Sequence, residues 1–104
     1  MEPRIDDLLS ALAEPTRLRA LQIIWDGDEH CVCELMDRLG ATQSRMSRHM
    51  QRLKLAGIVT DRREAQWVRY RKRADLPEDW VTIIGDIIRA MPPLPGTACQ
   101  KRAA

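Results

Sequence analysis

Residues 31–57 read CVCELMDRLGATQSRMSRHMQRLKLAG, and their punctuation decides the fold. Val32, Leu35, Met36 and Leu39 recur at helical spacing, so a short helix is expected from Cys31 to Leu39, with Gly40 as its terminator. Thr42 can cap a second helix running to about Ala56, with Met46, Met50 and Leu53 as its inward stripe and Gly57 as its stop. The opposite face carries Ser44, Arg45, Ser47, Arg48, Gln51 and Arg52. Two helices joined by a short glycine-containing link form a helix-turn-helix pattern.

Downstream of Gly57 the period changes from helical to alternating. Ile58–Arg63 and Trp67–Arg71 read as two strands around Glu64-Ala65-Gln66, a β-hairpin placed where a winged helix carries its wing. Upstream, Ile5, Leu8, Leu9 and Leu12 predict a helix from about Arg4 to Ala13, and Pro15 opens another over Thr16–Trp25, ended by Asp26-Gly27-Asp28. Trp80, Ile83, Ile84, Ile87 and Ile88 predict a last amphipathic helix from Pro77-Glu78 to about Met91. The expected fold is mainly α with a β-hairpin wing (α+β), a dimeric winged helix-turn-helix. Residues 1–92 are expected to form the DNA-binding and dimerisation domain, and residues 93–104 a flexible C-terminal tail carrying Cys99.

Composition sets limits on this reading. A chain of 104 residues with no Phe and one Tyr has a modest aliphatic core, one that dimerisation would support. No signal peptide or membrane span is apparent, and three cysteines without a secretory signal point to reduced thiols in the cytoplasm. Between Thr42 and Arg73 there are ten basic residues and two acidic ones, so the remainder of a chain of net charge +2 is acidic by six. Positive charge concentrated in one third of the length marks a polyanion site rather than an evenly solvated surface. A redox Cys-x-x-Cys is missing and no substrate cleft is implied, so the chain is not expected to be an enzyme.

The ordered set Glu14-Pro15-Thr16-Arg17-Leu18, Cys31-Val32-Cys33-Glu34-Leu35, Ser47-Arg48-His49-Met50, Leu53–Val59 and Trp67-Val68-Arg69-Tyr70 resembles the ArsR/SmtB family of dimeric winged-helix repressors. It is closest to the arsenite-responsive branch, the arsenical-resistance operon repressors. The resemblance implies a homodimer through the first and last helices, an inverted-repeat operator in double-stranded DNA, and release of that DNA when an effector binds. Half-sites for such a dimer are spaced by about one turn, ~34 Å. It further implies that Gln43, Ser44, Ser47 and Arg48 meet bases or phosphates, while Arg45 and Arg52 hold phosphates. Arg62, Arg63 and Gln66 would reach the backbone or minor groove from the wing; Ala65 stands where the family often has Gly, so the tip is expected to turn differently. His49 is either a phosphate contact or packed within the helix-turn-helix, and Trp67 and Tyr70 are expected to pack. DNA binding would need no cofactor.

Thiolates select soft ions, and trivalent arsenic and antimony prefer three sulfurs in a pyramid. Cys31 and Cys33 are the primary candidates. On an ideal helix two residues apart they would point about 200° away from each other, so a shared ion would require the helix start to unwind. Relatives often place a third cysteine where this chain has Met36, leaving Cys99, His30 or a water or hydroxide to complete the site. The effector is therefore expected to be arsenite or antimonite, As(III) or Sb(III). The alternative is the same repressor sensing persulfide or oxidants through thiol oxidation. Zinc, which normally takes four ligands, is poorly served by this sequence.

Overall fold

The link between the two central helices is built as its glycine and threonine require. Gly40 takes a left-handed φ of 66° and donates its backbone N–H to the carbonyl of Met36, while Thr42 Oγ1 accepts the N–H of Arg45 at 3.3 Å. In the computed structural model, which describes residues 4–94, this link joins α3 (Val32–Leu39) to α4 (Gln43–Leu55). Around them lie α1 (Ile5–Leu12), α2 (Pro15–Ile24), β1 (His30–Cys31), β2 (Val59–Glu64), β3 (Trp67–Lys72) and α5 (Glu78–Ala90). The core is aliphatic, as a chain without Phe dictates: Leu8, Leu21, Ile24, Leu35, Met46, Met50, Leu53, Ile58 and Ile84 are fully buried. No helix among the described residues is long and apolar enough to cross a membrane.

One element was not legible in the sequence and changes the thiol site. His30 and Cys31 form a two-residue strand antiparallel to β3, pairing with Tyr70 and Arg69, so the sheet has the order β1-β3-β2. Cys31 is consequently extended, with φ −70° and ψ 145°, and stands at the N-cap of α3 rather than inside it. The expected helix over Cys31–Leu39 thus loses its first residue to the sheet. The two thiols are not on opposite sides of one regular helix.

The wing corrects two further expectations. Ala65 adopts φ 57° at the first position of the two-residue loop between β2 and β3, the conformation usually left to glycine. The tip therefore turns with a positive φ despite its alanine. Tyr70 packs as expected, 2% exposed, but Trp67 is 37% exposed and does not. Trp80 is buried, while Trp25 lies half-buried with Lys72 Nζ 4.5 Å above its ring centroid.

The chain beyond α5 returns to the body of the fold. Gln22 Nε2 donates to the Pro92 carbonyl at 3.0 Å, and Leu94 packs against the core. The tail expected from residue 93 thus begins with a packed residue. Residues 95–104, including Cys99, lie outside the described residues, so the flexible tail and the role of Cys99 remain sequence expectations.

Candidate DNA-binding face and thiol site

Helix α4 buries Met46, Met50 and Leu53 and so turns its polar side outward. Gln43, Ser44, Arg45, Arg48, Gln51 and Arg52 are exposed, and Ser47 is half-buried at the edge of this face. Among the described residues the side chains of Arg45, Arg48 and Arg52 have no acidic partner, which leaves their guanidinium donors for an external anion.

His49 falls on the inner flank of α4. Its Nδ1 faces Arg17 Nη1 at 3.2 Å, with Glu14 Oε1 at 3.9 Å. Arginine has donors only, so Nδ1 accepts and the imidazole is neutral with its proton on Nε2. Burial, with Arg17, Arg45 and Arg48 nearby and against the pull of Glu14, holds the His49 pKa below its ordinary value. Of the two expectations for His49, the geometry supports packing inside the helix-turn-helix. Arg17 also donates to the Ala11 carbonyl, and Glu14 caps α2 by accepting the Arg17 N–H at 2.9 Å. Sequence alone gave Glu14 and Arg17 no role, although both belong to the Glu14-Pro15-Thr16-Arg17 segment; they tie α2 to α4.

The three wing residues separate. Arg63 and Gln66 are exposed, and Arg63 has no acidic partner among the described residues. Arg62 is engaged: its Nε and Nη2 donate to the Glu29 carboxylate at 2.9 and 2.6 Å. That contact raises the Arg62 pKa and holds Glu29 below the usual carboxylate range. Arg69 Nε donates to Glu64 at 2.6 Å and lowers the Glu64 pKa likewise.

At the thiol site Cys31 is buried and Cys33 exposed. Cys31 Sγ accepts the backbone N–H of Cys33 at 3.3 Å, closing the first turn of α3 with sulfur in the place where serine or threonine usually stands. The Cys31 sulfur, and then burial, push the Cys33 thiol above its ordinary pKa. His30 is not a spare ligand. Its Nδ1 lies 2.9 Å from Glu34 Oε1 and its Nε2 lies 3.0 and 3.2 Å from the two Asp26 oxygens. Burial works against the charged ring, but the bonds to Asp26 and Glu34 outweigh it and raise the His30 pKa. Both ring nitrogens are thus occupied as donors. Among the described residues no three His, Cys, Asp or Glu side chains are grouped to hold a metal ion.

Comparison with known proteins agrees with this geometry. Residues 14–61 match the family model described as bacterial regulatory protein, arsR family. The arsenic resistance transcriptional regulator ArsR2 of Pseudomonas putida is 44% identical over 75 residues, covering 72% of this chain and 64% of that protein. The chain thus spans somewhat less than two thirds of that relative's length. The arsenical resistance operon repressor of Escherichia coli is 35% identical over 79 residues, 76% of this chain and 67% of that one. Among solved structures, a Mycobacterium bovis domain superposes with a TM-score of 0.67 at 28% identity, covering 80% of this chain and 73% of that one. It is described as a homodimeric winged helix-turn-helix DNA-binding domain of a possible ArsR-family transcriptional regulator.

Proposed function

The chain belongs to the arsR family of bacterial regulatory proteins, and from that premise we propose that it represses transcription as a homodimer on an inverted-repeat operator, releasing the DNA when trivalent arsenic or antimony binds its cysteines. Gln43, Ser44, Arg45, Ser47, Arg48 and Arg52 supply the major-groove and phosphate contacts, with Arg63 and Gln66 on the wing, joined by Arg62 only when it leaves Glu29. The exposed apolar residues Ile5 and Leu9 on α1 and Val81 and Ile83 on α5 support a dimer through those two helices.

The observation that carries the effector reading is the unequal placement of two adjacent thiols. Cys31 is 9% exposed and paired to the wing strand β3, whereas Cys33 stands free in solvent at the start of α3. An ion that takes both sulfurs engages Cys31, which is buried, paired to β3 and already accepting the Cys33 N–H, so its capture disturbs β1 and the sulfur cap of α3. Helix α3 packs on α4, so the bound and free states differ where DNA is held. An ion that binds only the displaced arrangement lowers DNA affinity by its preference for that arrangement. Couplings of this kind are typically worth about 1–3 kcal/mol.

Two thiols leave trivalent arsenic one sulfur short, and Cys99 is the remaining candidate. Each arsenic–sulfur bond forms as a thiol displaces hydroxide from arsenite, the thiol proton leaving with that oxygen as water. Arsenic counted per protomer, together with three-sulfur coordination seen by X-ray absorption on the fully reduced protein, tests the set: three sulfurs falling to two in Cys99→Ser support it. An unchanged spectrum removes Cys99. Arsenic bound without any sulfur neighbour overturns the effector reading, and DNA release by persulfide or peroxide alone assigns the thiols to oxidation instead.

A further inference from the structure

The residue that holds the wing arginine belongs to the thiol side of the molecule. Glu29 directly precedes β1 and lies two residues before Cys31 in sequence. Its carboxylate takes Arg62 of β2 by two nitrogens, at 2.9 and 2.6 Å, across 33 positions of sequence. The register places Cys31 opposite Arg69, and Arg69 opposite Arg62, so the three side chains share one face of the sheet in a single row. Along this row the charges are matched in sequence: Arg62 sits between Glu29 and Glu64, with Glu64 Oε1 at 3.6 Å, and Arg69 holds Glu64. Arg63, the next residue on the strand, points to the other face and has no acidic partner among the described residues.

We propose that Glu29 is a positioning residue that withholds Arg62 from DNA phosphate, so that the strand bearing Cys31 sets the grip of the wing. This rests on the DNA-binding reading above. Carboxylate and phosphate accept the same forked pair of guanidinium hydrogen bonds. Transfer of Arg62 from one to the other is therefore a near-balanced exchange, and a small movement of Glu29 tips it. Because Glu29 and Cys31 lie on one short stretch of chain, a ligand that displaces Cys31 displaces the guard as well. This coupling through the sheet frees Arg62 for phosphate, so it opposes the release that runs through α3 and α4 and limits how far a thiol ligand lowers DNA affinity.

The test is a double-mutant cycle on a labelled operator duplex, with affinity measured over a range of salt. Both residues form a solvent-facing pair, so neither substitution removes core, and a thermal melt confirms the fold of each variant. Glu29→Gln is expected to bind about fivefold more tightly at ~0.1 M salt, with a log–log salt slope steeper by about one, the mark of one added phosphate contact. In an Arg62→Gln background the same substitution should change neither. An unchanged affinity and slope for Glu29→Gln overturn the proposal. So does an equal gain with and without Arg62, which would mean only that a negative charge near DNA had been removed. Failure of the wild type and every variant to bind the operator duplex would bring down the DNA-binding reading itself, and this proposal with it.

Discussion

Cys31 Sγ accepts the backbone N–H of Cys33 at 3.3 Å, so the same sulfur that caps α3 is the one expected to bind the effector. Serine at position 31 is of similar size and is itself a favoured N-cap, worth about 1 kcal/mol at such positions. Cys31→Ser should therefore fold and bind operator DNA as the wild type does, yet no longer release it with arsenite. A melting curve and a DNA titration of this one variant separate the structural role from the sensing role. A destabilised protein would show the thiol to be needed for packing, and normal release would remove Cys31 from the effector site.

The raised pKa of Cys33 bears on which ions the site accepts. Arsenite carries its own hydroxides, so a thiol proton leaves with one of them as water and none is released to solvent. A divalent cation must instead drive those protons off. Arsenite affinity should therefore be nearly flat from about pH 6.5 to 8, whereas cadmium affinity should rise by about tenfold or more per pH unit across the same window. Competition titrations at several pH values check this; parallel slopes for both ions would contradict it.

His49 accepts from Arg17 only while neutral. Its folded-state pKa is depressed, chiefly by burial, so the unfolded chain takes up a proton first as the pH falls. The stability tied to the contact is complete above about pH 6.5, the ordinary histidine value, and is lost as the pH drops through the lower folded value. Glutamine at this position can accept from Arg17 without titrating. The difference in melting temperature between about pH 7.5 and 5.5 should accordingly be smaller in His49→Gln than in the wild type.

Ala65 holds φ 57° at the wing tip. A left-handed backbone costs a residue with a Cβ roughly 1–2 kcal/mol, partly offset by the greater unfolded-state freedom of glycine. Ala65→Gly should raise the unfolding free energy by about 0.5–1 kcal/mol, measured by the denaturant midpoint at unchanged slope. An unchanged or lowered midpoint would mean that the loop carries no such strain.

The helix-turn-helix was legible because each boundary has a chemical marker: Gly40 and Gly57 at positive φ, Thr42 as a cap, and apolar residues spaced for a helix between them. Strand β1 was not, since two residues show no period and its partner Arg69 lies in a distant hairpin. That omission misplaced Cys31 inside α3. The outward arginines of α4 could be read from periodicity alone, but the capture of Arg62 by Glu29 could not, because only the folded sheet brings residues 33 positions apart together. Trp67 misled for a related reason: alternation tells which side of a strand a residue occupies, and the hairpin leaves that side uncovered. His49 lay at the border of the polar face of α4, and its partner Arg17 belongs to another helix.

Arsenite sensing requires that the thiols control the DNA face. Fluorescence anisotropy of a labelled duplex from upstream of the gene, with fully reduced protein and arsenite titrated against a zinc control, measures this directly. Release by near-stoichiometric arsenite, with affinity lowered by about 5–150-fold and zinc inert, is the predicted result. Tight binding that arsenite leaves unchanged would contradict it.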